Sequence, residues 1–207
     1  MTLKLNERVL SVNEAAKVTG VPMKQVHRII DAGLLGDAVR REKGSRIILG
    51  KALIGLKFAH ETTDILTLKG RMGFIRYLLE DPEAKIVHED IVSIDVRPMK
   101  SDVQRRLTAL EKAKKMITVN KDVLGGTPCF RGTRVAVHDI AEMVANGDDV
   151  SAILAAYPML TEELAHAAVT YSDAYPRRGR PRQRPLWRKK DLLSSNEATL
   201  DKPPRAS

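Results

Sequence analysis

The C-terminal stretch of the chain limits how much of the sequence can enter a folded core. Residues 177–190 contain eight Lys/Arg and no acidic residue, and Pro181 and Pro185 interrupt them. Residues 177–207 are rich in Pro, Ser and charge, so they cannot bury enough apolar surface to offset the entropy of ordering them. We therefore expect a disordered basic tail over residues 177–207 and a folded body over residues 1–176.

Charge is distributed unevenly along the 207 residues, whose net charge is +9. Residues 1–60 carry a net +6, residues 61–176 a net −4 and residues 177–207 a net +7. We therefore expect both ends to meet a polyanion or an acidic protein. Apolar residues make up 43% of the chain, which is enough for a core built from Leu, Ile, Val and Ala.

Neither export nor membrane insertion is indicated. No stretch approaches the ~20 apolar residues of a membrane span, and residues 1–8 lack the apolar run of a signal peptide. The single Cys129 excludes an internal disulfide and a four-Cys zinc site, and we expect it to be a small buried residue. His60 and His88 lack a second ligand at metal-binding spacing. We expect a cytoplasmic protein with no metal, no cofactor and no membrane contact.

Two short helical patterns joined by a turn begin the chain. Ser11 and Glu14 have the spacing of a capping box, and Gly20 ends the first helix. The second helix is expected over residues 23–32. This is the helix-turn-helix arrangement, whose second helix enters the major groove of DNA. The candidate base-contacting residues are Lys24, Gln25, His27 and Arg28.

A basic hairpin, the wing of this module, is predicted over residues 35–49, and a third helix over residues 51–61 closes its core. The hairpin cations expected to contact phosphates are Arg40, Arg41, Lys43 and Arg46.

Residues 1–61 thereby resemble the DNA-binding domain of the MerR family. The matching residues are Val12-Asn13-Glu14-Ala15-Ala16, Thr19-Gly20-Val21-Pro22, Asp31-Ala32-Gly33-Leu34-Leu35, Arg40 and Gly44-Ser45-Arg46. No long dimerising coiled coil or cysteine sensor follows, so metal or drug sensing is not implied. The alternative is a helical pair with a solvated basic face.

Residues 62–116 are predicted to connect two domains or to form a dimer contact. A helix is expected over residues 66–79, because its apolar residues recur at spacings of three and four. These residues are Leu68, Met72, Ile75 and Leu79. An alternating strand over residues 91–96 and a helix over residues 101–116 follow.

Residues 117–176 combine a hairpin-like lead-in with helical patterns at about residues 138–145, 150–156 and 161–175. They resemble a small domain of VapB-like antitoxins, whose partners are PIN-like toxins. The matching residues are Gly126-Thr127-Pro128, Arg131-Gly132-Thr133-Arg134-Val135, Gly147, Tyr157-Pro158, Leu160 and Thr161. The resemblance implies a homeodomain-like fold and a role in toxin–antitoxin control.

The charge of this second domain argues against DNA contact. It contains three basic residues, Lys121, Arg131 and Arg134, against eight acids. DNA phosphates would repel a domain with this net negative charge unless Arg131 and Arg134 were the only residues at the contact. We therefore assign DNA reading to residues 1–61, and self-association or partner contact to residues 117–176. Arg131 and Arg134 have an alternative structural role, which is to tie the Gly-rich turn to nearby carboxylates.

The tail contains apolar residues that suggest binding to a partner. By the resemblance to VapB-like antitoxins, its arginines would pair with the metal-binding carboxylates of a PIN-like nuclease. The candidate toxin-binding residues are Arg180, Arg182, Arg184, Leu186, Trp187, Arg188, Leu192 and Leu193. Two alternatives remain. Arg178-Gly179-Arg180-Pro181 resembles the core of an AT-hook, which binds the minor groove, and a charged terminus without a partner is the simplest case.

These patterns together predict a mainly α protein. It would contain a winged helix-turn-helix, a homeodomain-like three-helix domain, a few short strands and a disordered tail. The expected function is that of a type II antitoxin, which neutralises a PIN-like ribonuclease toxin encoded next to it and represses its own operon as a homodimer or higher assembly. The alternatives are a MerR-like regulator without a toxin and a nucleoid-type architectural protein. An enzyme is not expected, because we find no nucleophile elbow, catalytic triad pattern or phosphate-binding loop.

Overall fold

The computed structural model describes residues 5–89 and 91–177. Helix α1 (Val12–Thr19) begins at Ser11, whose hydroxyl accepts a hydrogen bond from the Glu14 amide, while the Glu14 carboxylate accepts one from the Ser11 amide. It ends at Gly20, whose φ of 74° is a conformation that glycine adopts at little cost. The predicted capping box and helix end are confirmed.

Helix α2 (Met23–Asp31) follows a tight turn, and a small sheet then packs beside the two helices. Strands β1 (Val9–Ser11), β3 (Ser45–Leu49) and β2 (Val39–Glu42) form this antiparallel sheet in the order β1-β3-β2. The register pairs Leu10 with Ile48, and both side chains are buried. Helix α3 (Leu53–Glu61) follows a short 3-10 turn and packs against α1, α2, α4 and α5, whereas α1 packs against β1 and β3.

The middle of the chain adds two helices and a hairpin. Helix α4 (Leu68–Glu80) begins at Thr67, whose hydroxyl accepts from the Gly70 amide. Strands β4 (Ile86–Glu89) and β5 (Val92–Asp95) pair antiparallel. Helix α5 (Arg97–Met116) carries Pro98 in its first turn, where a missing amide proton costs nothing.

The last part of the described chain pairs two very short strands and then forms three helices. Strands β6 (Ile117–Thr118) and β7 (Cys129–Phe130) are antiparallel. The helices are α6 (Val137–Ala145), α7 (Val150–Ala156) and α8 (Glu162–Ala174). Thr161 caps α8 through its hydroxyl, as predicted.

Two hydrophobic clusters hold these elements together. The first draws on α1 to α5 and the three-stranded sheet, with Phe58 and Phe74 in ring contact at 5.4 Å between centroids. The second lies between α6, α7 and α8 and includes Phe130 and Ile140. Helix α8 contributes to both clusters, because Ala174 near its C-terminal end is buried in the first. The predicted modules are therefore packed together.

The predicted mainly α class is wrong. The described residues form seven strands in three antiparallel sheets beside eight α-helices, which makes a mixed α and β fold. The predictions of a winged helix-turn-helix and of a separate homeodomain-like three-helix domain are wrong as well. The hairpin is not an appended wing, since β3 is the central strand and also pairs with β1. Strands of two to four residues, such as β1, β6 and β7, are too short to produce the alternation by which sequence reveals a strand.

Candidate nucleic-acid interface

Helix α2 carries a polar face opposite the side that packs into the first cluster. Val26 and Ile29 are buried, whereas Lys24 and Arg28 are exposed. Residues four apart lie side by side on a helix, so these two cations share one strip of surface. Of the other predicted base-contacting residues, His27 is exposed and Gln25 is half-buried.

The tip of the β2–β3 hairpin is a two-residue turn. Glu42 pairs with Ser45, so Lys43 and Gly44 are its central residues, with φ of 47° and 79°. Two positive φ values define the type of turn whose twist matches that of the flanking strands. Lys43 is one of two non-glycine residues with positive φ in the described chain. The turn therefore places this exposed lysine at the tip of the hairpin.

The hairpin cations are divided between the two faces of the sheet. Arg41 stands directly opposite Arg46, on the same face as the buried Ile48, and Arg40 lies on the other face. The Arg46 guanidinium binds the carboxylate of Asp31, at the C-terminal end of α2, with an N···O distance of 2.8 Å. Arg46 therefore ties the hairpin to α2.

The remaining predicted cations are available to a ligand. Five of the eight predicted DNA-binding residues are exposed, positively charged and without a side-chain ion pair or hydrogen bond to any residue that the structure describes. They are Lys24, Arg28, Arg40, Arg41 and Lys43. Below we call these five residues the cation cluster. Exposed groups of like charge attract polyanions.

A buried lysine that the sequence did not reveal supports the α1–α2 turn. Lys57 on α3 is 8% exposed, and its ammonium donates to the Thr19 carbonyl at 3.2 Å and to Asp102 at 2.9 Å. It also pairs with Glu61 at 2.8 Å. Burial lowers the pKa of Lys57, but the hydrogen bonds to Glu61 and Asp102 outweigh it, and the net pKa is raised. The Lys57 ammonium therefore keeps its positive charge although it is buried, because its carboxylate partners stabilise that charge.

Asp102 on α5 completes this support. It accepts hydrogen bonds from Lys57, Arg105 and Arg106, and the Lys57 bond contributes most to holding the pKa of Asp102 well below its usual range. The Arg106 guanidinium lies against Gly20, where a Cβ atom would be 3.2 Å from it. An added Cβ would require the Arg106 guanidinium to move by a few tenths of an ångström, so the positive φ is the main reason for glycine at this position. Local sequence could not reveal this network, because Lys57 and Asp102 are 45 residues apart.

A second contact joins α1 to the C-terminal end of α8. The Tyr175 hydroxyl donates to the Glu14 carboxylate, the group that also caps α1. Burial, followed by this hydrogen bond, raises the pKa of the Tyr175 phenol. Lys17 of α1 pairs with Asp173 of α8 at 2.6 Å. Helix α1, which precedes the elements that carry the cation cluster, is thereby joined to the C-terminal end of α8.

The two arginines of the Gly-rich turn, Arg131 and Arg134, differ in the contacts that their side chains make. Arg131 donates from Nε to the Lys115 carbonyl at 3.0 Å, so it binds a backbone oxygen rather than a carboxylate. Arg134 is exposed and makes no ion pair within residues 5–89 and 91–177. Cys129 is buried, as predicted, and burial raises the pKa of its thiol.

Other classes of site are not found in the part of the chain that the structure describes. No group of three or more His, Cys, Asp or Glu side chains there could hold a metal ion. None of its helices is both long enough and apolar enough to cross a bilayer. The predicted toxin-binding residues, Arg180 to Leu193, lie outside the described residues.

Comparison with known proteins identifies relatives without assigning an activity. Residues 117–172 match the family described as "Protein of unknown function (DUF433)". This match falls within the segment that resembles VapB-like antitoxins, and that resemblance stays a prediction. The chain is 35% identical over 188 residues to the "Uncharacterized protein y4eO" of Sinorhizobium fredii (strain NBRC 101917 / NGR234), an alignment that covers 84% of this chain and 85% of the relative. No solved structure matches the chain. Identity at this level over most of both chains means that the protein belongs to the same family as y4eO.

Proposed function

We propose that this protein is a cytoplasmic type II antitoxin. It binds operator DNA through α2 and the β2–β3 hairpin, and it neutralises a PIN-like ribonuclease toxin encoded next to it. The observation that carries the DNA-binding part is the cation cluster, whose side chains are exposed and without ion pairs to described residues. Each of these cations that meets a phosphate would release condensed counterions and so add affinity.

The dimensions of the surface support this assignment. Helix α2 (Met23–Asp31), like any α-helix, is about 10–12 Å across with its side chains, and the major groove, about 12 Å wide, admits an α-helix. In our proposal Lys24 and Arg28 reach base edges, while Arg40, Arg41 and Lys43 meet phosphates. The Arg46–Asp31 ion pair holds the hairpin beside α2, so that both elements address one DNA site.

The antitoxin part rests on resemblance and on charge. Residues 117–176 resemble VapB-like antitoxins and carry a net −5, which disfavours DNA contact. Residues 177–207 carry a net +7 and include Trp187, the only tryptophan of the chain. A basic arm with an aromatic anchor suits the carboxylate-rich active site of a PIN-like nuclease.

The DNA-binding part is tested with Arg28→Ala. If Arg28 reads a base, affinity for DNA from the promoter of its own operon falls by about 1–3 kcal/mol, measured by fluorescence anisotropy. Lys115→Gln is the control, because Lys115 is an exposed cation on α5 and does not belong to the cation cluster. If the two variants bind the promoter equally well, base reading by Arg28 is wrong.

The toxin-binding part is tested by deleting residues 177–207. We expect the full chain to co-purify with the product of the adjacent gene and to inhibit its ribonuclease activity. The truncated chain should lose both properties and still bind the promoter. A truncated chain that still inhibits the nuclease contradicts the tail assignment. If no neighbouring product binds the full chain while promoter binding persists, a DNA-binding regulator without a toxin is the better description.

A further inference from the structure

A cleft of mixed polar and apolar character borders the turn that joins α1 to α2. Residues of four helices, α1, α2, α5 and α8, line it together with that turn. Its volume of about 320 Å³ lies in the range of sites that bind small molecules. Val21 and Met23 contribute apolar atoms to its walls, and Met23 is 37% exposed. The cleft therefore has room and an apolar wall for a small organic ligand.

The Arg106 guanidinium, which also lines this cleft, has donors that the protein does not use. Its Nε donates to Asp102 at 2.9 Å, whereas its two amino groups donate to no residue that the structure describes. The guanidinium lies against Gly20, which has no side chain to cover it, and the Arg106 side chain is 41% exposed. A planar guanidinium in this situation suits a carboxylate, which accepts two parallel hydrogen bonds from it.

The charges in the network around Arg106 are not balanced. Lys57, Arg105 and Arg106 all form ion pairs with the single carboxylate of Asp102. The one further carboxylate in this group of ion pairs, that of Glu61, pairs with Lys57. Three cations therefore share two carboxylates, and one positive charge is left without a partner.

The other charged residues of the cleft do not compensate this charge. Lys17 and Asp173 line the cleft as well, but they pair with each other at 2.6 Å, so they add no net charge. The unused donors of Arg106 and the excess positive charge thus belong to the same network. A ligand with one negative group would satisfy both.

We infer that this cleft binds a small organic acid with a single carboxylate and an apolar body. The carboxylate lies on the amino groups of Arg106, and the apolar body lies along Val21 and Met23. This inference goes beyond the proposed function and does not depend on it. The Arg28→Ala experiment on promoter DNA does not involve the cleft, so either proposal can fail without the other.

Titration of the full chain with simple acids tests the site. Benzoate and hexanoate are the probes, and the backbone amide chemical shifts of Gly20 and Met23 are the NMR readout. We expect these shifts to saturate with dissociation constants of roughly 1 mM. Acetate lacks the apolar body and should bind about tenfold more weakly or worse, and the uncharged benzamide should not bind. The inference is overturned if neither probe shifts these amides, or if benzamide binds as tightly as benzoate.

A pair of arginine variants separates the cleft from the general charge of α5. Arg106→Gln should weaken benzoate binding about tenfold or more, because the bidentate donor is lost. Arg105→Gln is the matched control, since Arg105 also pairs with Asp102 but is 77% exposed and does not line the cleft. It should bind benzoate as the wild type does. Equal weakening in both variants would assign the binding to the overall charge of the helix and contradict the inference.

A substitution in the apolar wall gives a readout that does not disturb the Asp102 network. Met23→Glu places a carboxylate at the cleft and should abolish benzoate binding by repulsion. Folding should persist, because Met23 is already partly exposed and an acid is favourable in the first turn of a helix. Met159→Glu is the control, since Met159 is 59% exposed and does not line the cleft. Undiminished benzoate binding by a folded Met23→Glu variant would place the ligand elsewhere.

Discussion

The Tyr175 hydroxyl donates its hydrogen bond to the same Glu14 carboxylate that caps helix α1, across 161 positions of sequence. The start of the first helix and the residue that follows the last are therefore joined by one acidic side chain. Ala174, next to Tyr175, is buried in the first cluster. The C-terminal end of α8 is thus a structural part of the domain that carries the cation cluster.

Removing the hydroxyl in Tyr175→Phe should lower the free energy of unfolding by about 1–2 kcal/mol, because a hydrogen bond to a charged acceptor is lost. Urea unfolding measures this change. Tyr171→Phe is the control, since the neighbouring Tyr171 ring packs against Tyr175 but its hydroxyl has no hydrogen bond to a described residue. The link between the helices would be energetically unimportant if the two variants lost equal stability.

Asp102→Asn should remove about 1–3 kcal/mol of stability at pH 7, because Lys57 and two arginines lose an ionised partner. The pKa of Asp102 is lower in the folded chain than in the unfolded chain. The contribution of Asp102 to the free energy of unfolding is therefore complete above its pKa in the unfolded chain, about 3.9. This contribution is lost as the pH falls through its lower pKa in the folded chain.

The difference in urea unfolding between wild type and Asp102→Asn should consequently shrink in acid. Asp122→Asn is the control, since Asp122 is exposed and makes no side-chain contact to a described residue. It should match wild type at every pH. A gap between wild type and Asp102→Asn that is as wide at about pH 2 as at pH 7 would show that the network does not depend on the Asp102 charge.

Lys43→Asn separates the turn of the hairpin from its charge. Asparagine tolerates positive φ better than lysine, so the variant should gain about 0.5 kcal/mol in the free energy of unfolding. It also loses one cation, so the salt dependence of promoter binding should decrease by about one phosphate contact. Lys43→Gln removes the charge without the turn preference and should show the binding effect alone. Unchanged salt dependence in both variants would place Lys43 outside the interface.

Gly50→Ala should destabilise the first cluster by about 1–3 kcal/mol, because the new Cβ would lie 1.8 Å from the Leu5 carbonyl oxygen and force the backbone apart. Gly70→Ala, in helix α4, is the contrasting change. Its Cβ would approach nothing closer than the Thr67 hydroxyl at 3.5 Å, so it should stabilise by up to about 1 kcal/mol. Thermal unfolding measures both, and equal shifts would mean that the segment at Leu5 does not pack closely on Gly50.

The sequence alone was sufficient to predict those structural features that depend on residues three or four positions apart. The Ser11–Glu14 cap, the helix end at Gly20 and the cap at Thr161 follow from local hydrogen bonds, so the chain specifies them before any packing occurs. The exposed positions of Lys24 and Arg28 follow equally from the helical period, with Val26 and Ile29 turned inward. The short strands lacked such a period, and the fold class was predicted wrongly for that reason.

Tertiary structure alone decided which of these elements meet. Lys57 contacts Asp102 because α5 packs against α3, and Glu14 contacts Tyr175 because α8 packs against α1; no local pattern encodes that packing. The packing of α4 against α3 buries Ile75 but leaves Leu68 and Met72 exposed, although all three fit one predicted stripe. Periodicity defines which side of a helix is apolar, whereas burial depends on how much of that side the neighbouring elements cover.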